Sequence, residues 1–176
     1  MNNIIYRNLS RFLLLFILQI YIFNNIELLG YLNPYVYILF ILLLPLETPQ
    51  TLLLALAFFM GFSIDYFSNT IGINIAACVL VAYLRPGLIR VLSQKSELDP
   101  GMKIGIRDFG FRWFFIYTSV LVIIHHLVLF YLEVFRFNEF FDTLKRSLFS
   151  ALFTIIIIII SQYLFFKPKK QKRGLL

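Results

Sequence analysis

The sequence has little charge and a single cysteine. Only 14% of its 176 residues are charged, whereas 60% are hydrophobic and the mean hydropathy is +0.84. A soluble domain needs a polar surface, for which about 25% charged residues is typical. The composition therefore excludes a soluble globular domain and indicates an integral membrane protein. The lone Cys78 excludes an internal disulfide and a cysteine-based metal site.

The chain also lacks the common catalytic motifs. It has no glycine-rich phosphate loop, no His-Glu-x-x-His motif, no paired cysteines and no Gly-x-Ser-x-Gly elbow. The best enzymatic candidates are His125 and His126, which are adjacent within an apolar run. Neighbouring helical residues point about 100° apart, so this pair cannot share a metal as an i, i+4 pair would. We expect both to pack or form interhelical hydrogen bonds, with catalysis as the weaker alternative, and we predict neither enzymatic activity nor a cofactor.

Apolar runs separated by turn signals predict six transmembrane helices in a compact all-α bundle, forming a single membrane-embedded domain over residues 1–176. A crossing helix needs about 20 apolar residues, so the shorter runs must recruit flanking residues or thin the bilayer. A re-entrant hairpin of the second and third runs is the alternative, and it would leave four full spans. The predicted spans are residues 9–29, 33–47, 50–67, 70–92, 111–133 and 144–166.

The first run is longer than the core of a signal peptide, which has about 7–15 residues, so we expect it to be retained as a span. Placing the N-terminus in the cytoplasm puts thirteen of the sixteen lysines and arginines on the cytoplasmic side. This is the positive-inside pattern, and it predicts that both termini are cytoplasmic. The net charge of +7 is then explained by orientation and by anionic membrane lipids, and nucleic acid is not expected as a partner. The three exceptions are Arg136, Lys145 and Arg146.

Two polar segments lie on the predicted cytoplasmic side. In the loop 85–112, Pro86 is expected to break the fourth span. The residues after it would form either a short amphipathic surface helix or an extension of that span. The basic tail 167–176 is expected to fix topology and contact anionic lipid, with protein binding as the alternative.

Small residues and one carboxylate mark the third and fourth spans. Ala57, Gly61 and Asp65 recur every four residues and so form one stripe on the third span. Gly72 and Ala76 form a similar stripe on the fourth span, and such stripes let membrane helices approach closely. The short turn between the two spans makes them antiparallel neighbours.

This arrangement puts Asp65 beside the start of the fourth span, where free N–H groups and the helix dipole favour an anion. We expect Asp65 to be a structural clasp, with Asn69 or Thr70 as a further cap. Direct contact with a partner protein or ligand is the alternative. Other polar residues within apolar runs are expected to form interhelical hydrogen bonds of less than about 2 kcal/mol each: Gln19, Ser161 and Gln162.

The pattern Gly61-x-x-x-Asp65, a turn, Gly72 and a span ending in Val-Ala-Tyr-Leu-Arg at 81–85 resembles the bacterial rod shape-determining protein MreD family. Chain length and the six-span plan agree with that family. The resemblance implies a bacterial cytoplasmic membrane protein whose bundle is similar to the substrate-binding subunits of energy-coupling-factor transporters. It also implies a non-enzymatic scaffold that maintains rod shape. The implied partners are a single-span MreC-type protein and, through it, the MreB filament, within machinery that includes the RodA glycosyltransferase and a class B penicillin-binding transpeptidase.

The alternative function is a substrate-binding subunit of a vitamin-type transporter. Such subunits resemble one another in an Ala-x-x-x-Ala stripe on the first helix, and the first span here has no alanine. A ligand pocket would need convergent polar groups. The candidates are Asn24, Asn25, Asp65, Asn69 and Asn74.

Overall fold

A computed structural model describes residues 2–26, 33–70, 72–93, 101–134 and 140–164. These ranges are all-helical and contain no strand. Two 3₁₀ turns occur, at Phe23–Asn25 and Val36–Ile38. The α-helices are α1 (Asn2–Tyr21), α2 (Leu39–Leu42), α3 (Gln50–Ser68), α4 (Ile73–Leu92), α5 (Ile106–Phe109), α6 (Phe111–Val134) and α7 (Phe140–Leu164).

Five helices in the described ranges are long and apolar enough to cross a membrane: α1 with its 3₁₀ turn (Ile5–Asn25), α3, α4, α6 and α7. Their outer faces carry large apolar side chains, such as Phe59 at 57% exposed and Leu152 at 54%. Apolar surface of this extent is unusual for a soluble monomer and suits contact with lipid. The chain is therefore consistent with a multi-pass membrane protein.

Residues 33–47 were predicted to form the second spanning helix, but the structure does not contain a full helix there. This stretch contains only the turn Val36–Ile38 and α2, which together form a seven-residue unit that we call the central segment (residues 36–42). A helix of this length rises about 10 Å, against a hydrocarbon core of about 30 Å. Every residue of the central segment is at most 6% exposed, because the long helices surround it. The alternative re-entrant hairpin is not formed either, since α3 is one continuous helix of 19 residues.

The central segment runs antiparallel to α1. Gln19, near the end of α1, accepts a hydrogen bond from the N–H of Val36 at 2.8 Å. Arg11, in the first half of α1, donates to the carbonyl of Leu43 at 3.0 Å. The chain therefore returns along α1 towards the end of the bundle at which α1 begins.

Helix α4 continues through Pro86 to Leu92, so the prediction that Pro86 breaks this span is wrong. A proline inside a helix removes one backbone hydrogen bond and costs about 3 kcal/mol. Two buried residues on either side of it, Arg85 and Ile89, anchor both halves of the helix in the core and offset that loss. The residues after Pro86 were predicted to form either an amphipathic surface helix or an extension of the fourth span, and the structure shows the extension.

Helix α4 lies at the centre of the packing, against α3 on one side and α6 on the other, and α6 packs in turn on α7. Buried apolar side chains from α1, the central segment, α3, α4, α6 and α7 join in one contiguous cluster. The core is therefore built around the central segment and α4.

Helices α3 and α4 approach most closely at Gly61. A Cβ atom there would lie 2.6 Å from the Cα of Ile75 and 2.7 Å from the carbonyl oxygen of Asn74. These are backbone atoms that cannot turn aside, so a side chain at 61 would push the helices apart. On α4 the surface that contacts Gly61 is the backbone at Asn74 and Ile75, whereas Ala76, which was predicted to share this contact, is exposed.

Substituting Gly61→Ala should destabilise the protein by about 1–3 kcal/mol, which is the usual cost of adding atoms to a tightly packed contact. Gly87→Ala is the matched control, since a Cβ at Gly87 in the same hairpin meets nothing within 4 Å and alanine is the better helix former. Thermal unfolding in detergent measures both variants. Equal melting temperatures for the two would contradict the close contact at Gly61.

Candidate functional site

Asp65 lies in the last turn of α3, beside the first turn of α4, and is 4% exposed. Its Oδ1 accepts hydrogen bonds from Thr70 Oγ1 (2.5 Å), Asn74 Nδ2 (2.9 Å) and Asn74 N (3.1 Å). Its Oδ2 accepts from the N–H of Ile75 at 3.0 Å. First-turn N–H groups have no partner within their own helix, and the helix dipole favours an anion there. Asp65 therefore caps α4 from the preceding helix.

The turn between α3 and α4 depends on two left-handed residues. Asn69 ends α3 with φ of 53°, and its N–H bonds to the carbonyl of Asp65. Gly72 precedes α4 with φ of 75°. Asparagine and glycine are the residues that adopt this conformation most readily. The side chain of Asn69 is exposed, and Thr70 bonds to Asp65, so neither caps α4 directly in the predicted way.

A line of buried hydrogen bonds runs from Asp65 to α6. Because the Asn74 amide nitrogen donates to Asp65, Asn74 Oδ1 accepts from the hydroxyl of Tyr37 at 2.7 Å. The Tyr37 oxygen lies 3.0 Å from His125 Nε2, and the network assigns the donor role there to the histidine. This line joins α3, α4, the central segment and α6.

His126 bonds in another direction. Its Nδ1 donates to the carbonyl of Val122 at 2.8 Å, and its Nε2 lies 3.1 Å from Thr154 Oγ1 in α7. Thr154 Oγ1 accepts a hydrogen bond from the N–H of Tyr35 at 3.1 Å and donates to the carbonyl of Ser150 at 2.9 Å. The adjacent histidines thus contact different elements. Within the described ranges no group of three His, Cys, Asp or Glu side chains is placed to hold a metal ion.

Gln19 caps the start of the central segment and is fully buried. Its Oε1 accepts from the N–H groups of Val36 (2.8 Å) and Tyr37 (3.3 Å). Its Nε2 donates to the carbonyl of Pro34 at 3.0 Å and to Asn24 Oδ1 at 2.9 Å. One side chain therefore satisfies three backbone groups that have no helical partner.

Two arginines and a tyrosine donate hydrogen bonds to the backbone carbonyls at the other end of the central segment. Arg85, 1% exposed, donates to the carbonyls of Leu44 and Pro45 and to the Tyr117 hydroxyl at 3.0 Å. Tyr117 donates in turn to the carbonyl of Leu42 at 3.0 Å, and Arg11 donates to that of Leu43. Cations suit the negative end of a helix dipole. Across the described residues, no carboxylate lies within 4 Å of the Arg85 guanidinium.

The remaining predicted polar residues have local roles. Ala57, on the Gly61 stripe, is fully buried. Ser161 donates to the carbonyl of Ile158 in its own helix at 2.7 Å, so its predicted interhelical role is wrong; serine often bonds to its own helix in this way. Gln162 is half-buried, with its Oε1 beside Gly105.

Three of the asparagines proposed for a ligand pocket, namely Asn24, Asn25 and Asn74, bond within the fold, whereas the side chain of Asn69 is exposed. Asn24 donates to Ser68 Oγ at 3.0 Å, and Asn25 donates to the carbonyls of Ile20 and Tyr21. Sequence reasoning missed four residues of the buried network, namely Tyr37, Arg85, Tyr117 and Thr154. Only Arg85 had a visible signal, a cation directly after an apolar run, and it was assigned to a loop.

No protein-family model matches the chain, and neither does any curated protein or solved structure.

Replacing Asp65 by alanine should lower stability by at least about 2 kcal/mol, because a helix cap is lost and buried donors are left unpaired. Asp142→Ala is the control, since Asp142 is an exposed aspartate near a helix start that pairs with the exposed Lys145. Thermal unfolding in detergent reports the difference. If Asp65→Ala melted like Asp142→Ala while a partner no longer bound, Asp65 would be a contact residue rather than a clasp.

Gln19→Leu should destabilise the protein by about 2–4 kcal/mol, because three buried backbone groups lose their partner. Hydrogen exchange measured by mass spectrometry should become faster at residues 36–42. Gln162→Leu is the matched control, and it should leave exchange there unchanged. Unchanged exchange in Gln19→Leu would show that the central segment does not depend on this cap.

Proposed function

We propose that this protein is a non-enzymatic membrane scaffold of the bacterial cell-elongation machinery, of the MreD type. The observation that carries the proposal is the fit of the motif Gly61-x-x-x-Asp65 and Gly72 to one helical hairpin. Gly61 permits the close crossing, Asp65 caps α4 and Gly72 adopts the left-handed turn. A motif whose residues determine the geometry of a hairpin suits a scaffold, because a scaffold acts by presenting a rigid surface to its partners.

The roles of the polar residues support the same proposal. His125, His126, Gln19 and Asn74 are hydrogen-bonded to backbone groups or to other buried side chains. Polar residues inside a membrane mark ion or substrate pathways in many transporters. Here their bonds join neighbouring elements of the bundle, which is an architectural role.

The central segment argues against the vitamin-transporter alternative. A substrate-binding subunit needs a concave site whose polar groups converge on the ligand. In this bundle the space between the long helices is filled by the chain itself: Tyr37, Ile38, Ile41 and Leu42 are fully buried there. Asn24, Asn25 and Asn74, which could have lined such a site, bond to neighbouring residues instead.

The proposed topology has six passages and both termini in the cytoplasm of a bacterium. The long helices provide five passages, and the central segment with its flanking residues provides the return between α1 and α3. Shared contacts support this count. Arg7, Glu47 and Lys103 line one cavity, and Gln162 lies beside Gly105, so the start of α1 and the end of α7 are at one end of the bundle. The positive-inside rule assigns that end to the cytoplasm.

The proposed direct partner is a single-span MreC-type protein. Through it the chain would be linked to the MreB filament and so to peptidoglycan synthesis by the RodA glycosyltransferase and a class B penicillin-binding transpeptidase. A protein with little mass outside the membrane suits a partner that supplies the connecting domain.

Depletion in the bacterial host tests this function, because loss of a shape scaffold should round rod-shaped cells without creating a nutrient requirement. The tagged protein should also co-isolate with a single-span membrane protein. Re-expression of the wild type or of Asp142→Ala should restore rods, and Asp65→Ala should restore them less well. Normal shape with a new vitamin requirement would overturn the proposal in favour of the transporter subunit.

A further inference from the structure

A cavity at the basic end of the bundle has three cations among its lining residues and a single carboxylate. Its walls are the first half of α1, the turn that follows the central segment and the residues just before α5. Three cationic side chains face one carboxylate there, and no ion pair within 4 Å joins them among the described residues. The lining includes Arg7, Arg11, Leu46, Glu47, Met102 and Lys103.

The two arginines leave hydrogen-bonding capacity unused. Arg7 and Arg11 are one helical turn apart on the same face of α1, where like charges repel each other. The Arg7 Nε atom is buried and has no hydrogen-bond partner within the described ranges. Arg11 donates from Nη1 to the carbonyl of Leu43, and a guanidinium has five N–H donors in all. An oxyanion in the cavity would satisfy Arg7 and relieve the repulsion.

The charge behind the cavity has the same sign. Pro45 lines the cavity, and its carbonyl accepts from Arg85 at 3.5 Å, so this buried guanidinium lies directly behind the wall. The partners of Arg85 are two carbonyls and a hydroxyl, and none of them cancels its charge. The field in the cavity therefore favours an anion.

We propose that this cavity binds a phosphate oxyanion, supplied in the membrane by an anionic lipid headgroup. Guanidinium groups match phosphate through paired N–H bonds. Arg7 lies within two residues of Ile5, where the membrane-spanning stretch of α1 begins, so it is at headgroup depth. Leu46 and Met102 add apolar wall that suits the glycerol and upper acyl chain of a lipid.

Native mass spectrometry of the purified full chain tests the site, with phosphatidylglycerol compared against phosphatidylcholine. The wild type should retain phosphatidylglycerol preferentially. The double variant Arg7→Gln/Lys103→Gln should bind it roughly tenfold more weakly, through the loss of charge-assisted hydrogen bonds. The control Arg112→Gln/Lys145→Gln removes the same two residue types from exposed positions outside the lining and should bind like the wild type.

A second arm separates the two sources of phosphate. Inorganic phosphate is titrated into delipidated protein while thermal stability is followed. Stabilisation of the wild type but not of the Arg7/Lys103 variant, with no preference for phosphatidylglycerol, would assign the site to free phosphate. If the Arg7/Lys103 double variant failed to fold, Lys103→Gln alone, at an exposed side chain, would replace it with a smaller expected loss. Equal lipid binding by the cavity and control variants, with no phosphate effect, would overturn the site.

Discussion

The fold depends on satisfying backbone hydrogen bonds in a segment that is too short to do so itself. Residues 33–49 pass through the centre of an apolar bundle with only seven helical residues. In lipid each unsatisfied N–H or carbonyl costs several kcal/mol, and irregular backbone survives at that depth only when protein encloses it. Side chains from α1, α4, α6 and α7 supply the missing partners. The long helices are thereby tied to the segment at their centre.

This requirement explains why so apolar a chain keeps its buried polar residues. Gln19 serves the start of the central segment, and Arg85 with Tyr117 serves its end. Asp65 does the same for the first turn of α4. Each group replaces water at a helix terminus, and each would be expensive to bury without its partner. A buried polar residue in a membrane protein is thus evidence of function only if nearby backbone N–H and carbonyl groups do not already require it as a hydrogen-bond partner.

The α3–α4 hairpin followed from the sequence because its determinants are local. A four-residue period fixes which side chains share a helix face, and a short turn fixes the antiparallel partner, so Gly61 and Asp65 could be placed before the structure was known. The surface of α4 that Gly61 contacts could not be predicted in the same way. Gly61 contacts backbone at Asn74 and Ile75, and backbone leaves no signature in residue type.

The central segment could not be predicted, because its apolar run reads like any other span. Hydropathy reports that residues 35–46 avoid water, and it does not distinguish lipid from protein as their surroundings. Arg85 was misassigned for a related reason. A cation before a proline has the appearance of a loop boundary, and only tertiary packing brings the carbonyls of Leu44 and Pro45 within reach of its guanidinium.

Arg11 lies between the central segment and the cavity at the basic end of the bundle. Its guanidinium bonds to the carbonyl that follows the central segment, and it also lines the cationic cavity. Any anion in that cavity would therefore contact the group that holds the end of the segment. Because a guanidinium has donors for both partners, an oxyanion and the Leu43 carbonyl can be bound together. In the proposed site, a bound headgroup and the end of the central segment would share this one side chain.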